Sequence, residues 1–386
     1  MKFLKFAALA LLLSAGFTAC SDDDPIAPSP NPDPVTPDST VHTRGEAGFY
    51  VVNQGNMGVL DGTLDFFTAD GQTRTAGIFY SANDKMSVGD SPQKPVIYGT
   101  KLYIPVYSAG LVWVVDATTA KVVASIKTAE PEAVCGAEGY LFISNNDGNV
   151  TRVDTTDYSK TETIAVGPNP AGMTTTDGKV YVSISDGYNY ANGYVDGFKV
   201  AEVDAKTFTK TRDIKVGMNP GDITADDYGN VFVVCRGDYG ATVSTIYKFT
   251  PATMSEASAF CPGTLIAVDN QQRTSRATAA TSPLIVLNAV TDYSNWPNVQ
   301  TVVTSALYNG VTGEKVTDGF LASDNLPVSP IAVDINPTTH EVYVCSDSSV
   351  GSDQYTTPGY IKVYSASGTY LRTLTTGVHP FGVAFK

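Results

Sequence analysis

The sequence predicts an all-β protein, a seven-bladed β-propeller of four-stranded antiparallel blades, and three observations predict it. A Gly/Pro loop leads into a short apolar strand, a tight turn and an aromatic-valine strand. That phrase recurs in GDSPQKPVIYGTKLYIPV (89–106), GPNPAGMTTTDGKVYVSI (167–184), GMNPGDITADDYGNVFVV (217–234) and LPVSPIAVDINPTTHEVYVC (326–345). A spacing of roughly 40 to 55 residues marks a repeat architecture whose units bury their apolar faces on one another. Each phrase is followed by a second pair of alternating strands, as in LVWVVDATTAKVVASI (111–126) and VAEVDAKTFTKTRDIKV (200–216). Finally, the two ends are complementary: 48–80 holds only three strands, and VHPFGVAFK (378–386) resembles the missing one.

The elements follow in order. Alternation with Val, Ile, Tyr and Phe enrichment reads as half-buried strands. Glu138-Gly139, Asp177-Gly178 and Gly229-Asn230 supply the positive-φ residues of short hairpins. The units fall at 89–128, 129–166, 167–216, 217–260, 261–322 and 323–377. Joining the last strand to the first three closes the ring and removes open sheet edges. An open solenoid or a stack of sandwiches has no use for such complementary remnants. The 261–322 unit is the least regular, with a polar stretch QQRTSRATAATS (271–282).

Residues 1–19 read as a secretory signal peptide, with Lys2 and Lys5 ahead of the apolar run AALALLLSAGF, too short to span a membrane. The small residues before Cys20 resemble the lipobox of bacterial lipoproteins, with Phe17 in place of the usual Leu. Lipidation is therefore expected at Cys20. Ser21-Asp22-Asp23-Asp24 resembles the surface-export signal of Bacteroides-type lipoproteins. Residues 20–47 form an acidic, Pro-rich linker, extended at about 3.1 Å per residue and reaching roughly 80 Å. The propeller is expected over 48–386, held to an outer membrane by lipid alone and facing the cell exterior.

The remaining cysteines, Cys135, Cys235, Cys261 and Cys345, are expected in separate blades with no metal-ligand or redox spacing. The net charge of −14 and the lack of a basic stripe argue against nucleic acid as partner.

In a meander the loops between second and third strands emerge on the same face as the loops between blades. The former carry Asn53, Gln54, Tyr107, Asn145, Asn146, Tyr188, Tyr190, Arg236, Tyr239, Asn295, Trp296 and Tyr355. Aromatic rings on a rigid scaffold give flat contact area, and neighbouring amides donate and accept hydrogen bonds. These residues are the candidate ligand-binding set, Arg236 being suited to a phosphate or acidic group. The plainer reading is that each Tyr packs its loop against a blade edge.

Catalytic signatures are lacking. His42 lies in the linker, His340 in a turn on the opposite face, and His379 in the recurring loop-Pro pattern. No nucleophile elbow, His-Glu-x-x-His or phosphate-cradling loop occurs. Asp186, Asp238, Asp292 and Asp347 suit acid–base work or calcium, and equally suit turns that cap their own backbone. The expectation is a binding protein with no catalytic residues, no metal and no cofactor.

The segment YVVNQGNMGVLDGTLDFF, with the repeated Gly-x-x-Pro loops and Tyr-Val strands, resembles the YncE-like propellers of Bacteroides lipoproteins over 48–386. That resemblance implies a surface lipoprotein. Its cobalamin-binding BtuG branch implies capture of vitamin B12 or related corrinoids and hand-over to a BtuB-type TonB-dependent outer-membrane transporter. A glycan-, peptide- or protein-binding module, and a lyase- or hydrolase-type propeller, remain alternatives at this level, because fold-level likeness does not choose a ligand.

Overall fold

The computed structural model describes residues 47–253, 256–270, 282–292, 294, 299–351 and 353–386. They form seven four-stranded antiparallel sheets. Blade 1 takes its inner strand from the other end of the chain: Pro380–Phe385 pairs with Gly48–Asn53, which is followed by Thr63–Thr68 and Arg74–Thr75. The closing register sets Phe49 opposite Phe385 and Asn53 opposite Pro380. Blades 2 to 7 are consecutive meanders in chain order. The predicted architecture and its mode of closure are what the structure shows.

Both faces of every blade are covered, which explains why second strands such as Gly48–Asn53 read as almost continuous apolar runs. Alternate side chains go to alternate neighbours. Tyr50 and Val52 pack against Leu102, Ile104 and Val106 of blade 2. Phe49 and Val51 pack against Tyr343, Cys345 and Ile361 of blade 7. Seven apolar clusters result, one in each seam between neighbouring blades, and the seventh seam closes the circle.

Two expectations need correction. The fourth strand of blade 1 is only Arg74–Thr75; the apolar GIFY that follows forms the short helix Ile78–Ala82. Gly77 turns the chain with φ of 59°, and Phe79 then plugs the seam beside Trp113, ring centroids 5.6 Å apart. Cys261 belongs to the outer strand Ser258–Pro262 of the blade that contains Cys235, so these two cysteines share a sheet. All four described cysteines are free and buried. Burial alone pushes the Cys135 thiol up to about 12. In blade 6, Pro283–Asp292 and Gln300–Asn309 form a long hairpin that carries exposed Val290 and Val302. The lipidation, leader and linker expectations for 1–46 lie outside the described residues.

Blade 1 is braced by a buried carboxylate. Asp65, 1% exposed, accepts from Asn53 Nδ2 at 2.9 Å, from Arg74 Nε and Nη2 at 3.1 and 2.9 Å, and from the Gly77 amide at 2.9 Å. Both oxygens are hydrogen-bonded and one faces a guanidinium, which is what makes a buried charge tolerable. Asp65→Ala strands the guanidinium and two other donors. We expect a loss of about 3–5 kcal/mol, read as a lower urea midpoint. A change below about 1 kcal/mol would mean that water replaces the carboxylate without cost.

Candidate functional site

One backbone device builds the loop face in five of the blades. Ser91, Glu130, Asn169, Asn219 and His379 each stand just before a proline, at φ of 46° to 56°; Pro131, Pro170, Pro220 and Pro380 open inner strands, and Pro92 bridges Val106 ahead of the inner strand Val96–Tyr98. Left-handed backbone at a non-glycine residue costs of order 1 kcal/mol or more. Each carbonyl then accepts the amide of the first residue after the second strand: Tyr107 onto Ser91, Asn146 onto Glu130, Ser185 onto Asn169, Arg236 onto Asn219 and Gln54 onto His379. The prolines sit opposite the last residue of that strand, as Pro131 opposite Asn145 and Pro220 opposite Cys235. Two side chains per blade are thereby fixed at the loop face. Gln54, Tyr107, Asn146 and Arg236, read from composition, occupy one equivalent position. Sequence reasoning missed Ser91, Glu130, Asn169 and Asn219, and a residue before proline is not by itself the signal, since Ser329 and Thr357 also precede prolines at strand starts without turning left-handed.

A hydrogen-bonded cluster crosses blades 2, 3 and 4. Asn146 Nδ2 donates to the Tyr107 hydroxyl at 2.8 Å and to the Tyr188 hydroxyl at 2.7 Å, and the two phenols bond to each other. Asn146 Oδ1 accepts from Asn169 Nδ2 at 2.9 Å, and Asn169 Oδ1 accepts the Tyr188 amide at 3.2 Å. Burial, then the bond to Tyr188, push the Tyr107 hydroxyl well above the usual phenol range, so it stays protonated. Tyr188 nevertheless remains 68% exposed, its ring presented to solvent and its hydroxyl tied down.

The neighbouring loops are held by their own carboxylates. Asp186 accepts Asn189 Nδ2 and the Asp196 amide, both at 3.0 Å, shaping the turn Gly187–Asn192 that displays Tyr188 and Tyr190. Asp238 Oδ1 accepts the amides of Gly240 and Thr242 at 2.9 and 2.8 Å, and Tyr239, next to Asp238 in this turn, is 77% exposed. Tyr194 lies beneath, its hydroxyl raised by burial and by the fields of Tyr239, Asp238 and Tyr190. Asp292 accepts the Ser294 amide. These three carboxylates cap their own turns.

Asp347 is different. It is fully buried and holds His379 Nδ1 at 3.1 Å from both oxygens. The imidazole lies between the rings of Tyr355 and Phe381, centroids 5.0 and 5.8 Å away. Tyr355 is thus placed at the seam of blades 7 and 1.

Asn53 and Asn145 end their strands and turn inward. Asn53 donates to Thr63 and Asp65 and accepts the Gly377 amide. Asn145 donates to Thr151 and accepts from Thr128. Both amides fix loop entry rather than lie on the open face. Asn295 and Trp296 lie outside the described residues.

Arg236 and Glu132 meet at equivalent places on the inner strands of blades 5 and 3: Glu132 follows Pro131 as Gly221, on which Arg236 lies, follows Pro220. The Arg236 guanidinium lies on the backbone of Gly221; a Cβ there would sit 2.2 Å from Cζ. Glu132, on the inner strand Pro131–Ala137 of blade 3, was not singled out from sequence. Burial pushes its carboxyl up to about 7, with Arg236 opposing and Glu130 adding to the rise. Among the described residues, no group of three or more His, Cys, Asp or Glu is gathered to hold a metal ion.

A family model described as a domain of unknown function, DUF5074, matches residues 47–376. No curated protein sequence matches the chain. Among solved structures, a quinoprotein alcohol dehydrogenase-like protein of Bacteroides thetaiotaomicron aligns with a TM-score of 0.59 at 15% identity, covering 89% of this chain and 79% of that one. Kuenenia stuttgartiensis hydrazine synthase aligns at 0.57 and 14% identity, covering 76% and 89%. The dihydro-heme d1 dehydrogenase NirN, in complex with DHE, aligns at 0.51 and 11% identity, covering 92% and 78%. At such identities the likeness is one of fold.

Proposed function

This chain belongs to the DUF5074 family, and from that premise we propose that it is a ligand-capture propeller whose loop face binds a corrinoid, cobalamin or a relative. The observation that carries the reading is the Tyr107–Asn146–Tyr188 cluster, which links three blades while leaving the Tyr188 ring open to solvent. Exposed rings at Tyr188, Tyr190 and Tyr239 offer flat apolar area; Asn169, Gln54 and Arg236 offer polar groups around it. A corrin has flat faces to stack and peripheral amides to hydrogen-bond, and this surface suits both. Left-handed residues and turn-capping carboxylates hold the loops before ligand arrives, so little ordering cost remains on binding.

The reading is binding without turnover, with the ligand as cargo rather than cofactor. It extends to a lipid anchor at Cys20, a position on the outer face of the outer membrane, and delivery to a TonB-dependent transporter of BtuB type. Its sequence support is the lipobox-like TAC, the acidic run after it and the Pro-rich spacer.

The test is direct. Residues 43–386 are mixed with cyanocobalamin and desalted, and the corrin absorbance of the protein fraction is read. Stoichiometric retention of unaltered ligand is expected. A colourless protein sinks the corrinoid reading and moves the search to glycan arrays and protein partners; a changed ligand recovered from the mixture moves it to catalysis.

A further inference from the structure

We propose that Arg236 and Glu132 form a proton-linked subsite for an anionic group of the ligand, a phosphate or carboxylate, at the mouth of the ring. The inference rests on the loop face being the binding face and adds the charge class of what sits there.

Arg236 reaches the mouth from blade 5 because its amide is bonded to the Asn219 carbonyl and its guanidinium lies over a residue with no side chain, Gly221. Among the described residues its guanidinium makes no hydrogen bond and no ion pair within 4 Å. Arg236 is half-buried, so the planar fork is partly desolvated, oriented and unsaturated. That is the state in which guanidinium takes two oxygens of a phosphate or carboxylate.

Glu132 holds in blade 3 the position that Gly221 holds in blade 5, one residue past the strand-opening proline, and makes no ion pair with the guanidinium that lies on Gly221 although the field of Arg236 reaches it. The charges that act on Glu132 are Arg236 and, from the preceding loop, Glu130, which accepts the Tyr107 hydroxyl at 3.3 Å. The adjoining inner strand of blade 4, Pro170–Thr176, carries no charge. Lys94, Asp222 and Asp334, from the inner edges of blades 2, 5 and 7, act on one another instead. A carboxyl half titrated near about 7 has two forms with opposite consequences. Ionised, it competes with an incoming anion for Arg236. Protonated, it stops competing and presents an O–H donor to a second oxygen.

The sign follows from linkage. An anion on Arg236 removes the one influence that lowers the Glu132 pKa and adds a repulsive charge, so the bound-state pKa is higher still. Binding therefore takes up a proton. Affinity is flat below about pH 6 and falls above pH 7, by at most about tenfold per pH unit for one proton.

Cyanocobalamin carries a phosphodiester in its nucleotide loop; cobinamide lacks it. Calorimetric titration of residues 43–386 with each, at pH 5.5, 7.0 and 8.5, separates this subsite from the general reading. We expect both to bind, with cobalamin favoured by about tenfold or more at pH 5.5 and the margin shrinking by pH 8.5. Arg236→Ala should erase the margin, Arg236→Lys should keep part of it, and Glu132→Gln should keep it at every pH. Equal binding of the two ligands, or a margin untouched by Arg236→Ala, overturns the subsite and leaves corrinoid capture standing. If neither ligand binds, corrinoid capture fails, and phenyl phosphate decides the subsite: Arg236-dependent binding that weakens above pH 7 supports it, and no binding overturns it.

Discussion

Deleting residues 379–386 is expected to abolish cooperative folding, not to trim it. Those residues supply the inner strand of blade 1, and their removal leaves the whole edge of Gly48–Asn53 unpaired. Val383 also leaves the seam that holds Phe49, Val51, Tyr343 and Cys345, so apolar area opens on blades 1 and 7 together. An unpaired, flat, apolar edge is an invitation to intermolecular pairing. The expected readout is a broad thermal transition without a plateau and material that elutes as aggregate. Since so large a deletion makes any failure ambiguous, Val383→Asp isolates the seam. Placing one unpaired carboxylate there should cost about 3–5 kcal/mol. A truncated chain that still melts sharply, within a few degrees of the intact one, would show that closure adds little.

The second large effect is on the ligand face. Tyr188→Ala removes an exposed ring and two hydrogen bonds of a shared network, and should weaken corrinoid binding by about 10- to 100-fold, or roughly 1–3 kcal/mol. Tyr188→Phe keeps the ring and loses the hydroxyl, so it separates stacking from positioning. We expect it to cost about tenfold or less. Tyr107→Phe combined with Tyr188→Phe should then cost less than the sum of the two, because both hydroxyls share the Asn146 amide. Thermal midpoints of the three variants serve as the folding control. Undiminished affinity in Tyr188→Ala would move the binding surface away from blades 2 to 4.

The ring was legible because period-two alternation, turn glycines and complementary ends are all written in residue identity. Tyr188, Tyr190 and Tyr239 were legible for the same reason: large rings in loops punctuated by Gly and Asp. What the sequence hid is what depends on direction. Asn53 and Asn145 look like loop amides, yet each closes a strand and points into its own blade. Glu132 is one polar letter in PEAVCGA, and only the closed ring brings it within the field of Arg236 from two blades away. The helix Ile78–Ala82 is too short for any helical period to show, and its apolar letters read equally well as strand. Nothing in the letters Ser, Glu or His announces a left-handed backbone; it took the recurring carbonyl-to-amide bond across five blades to reveal it.

That recurring turn makes the loop face rewritable. The contacts that hold the turn are made by main chain and proline, so the side chains at 91, 130, 169, 219 and 379 are five sockets on a common template. Asn, Asp, Gly and His enter such sockets with least strain, whereas β-branched residues do not. A library confined to the open sockets 130 and 169 and to positions 54, 107 and 236 would vary ligand preference while leaving the seven seams intact, whereas Ser91, Asn219 and His379 are buried and His379 holds the buried Asp347. The scaffold is thus a starting point for new receptors, in which chemistry is exchanged at the rim and the frame is inherited unchanged.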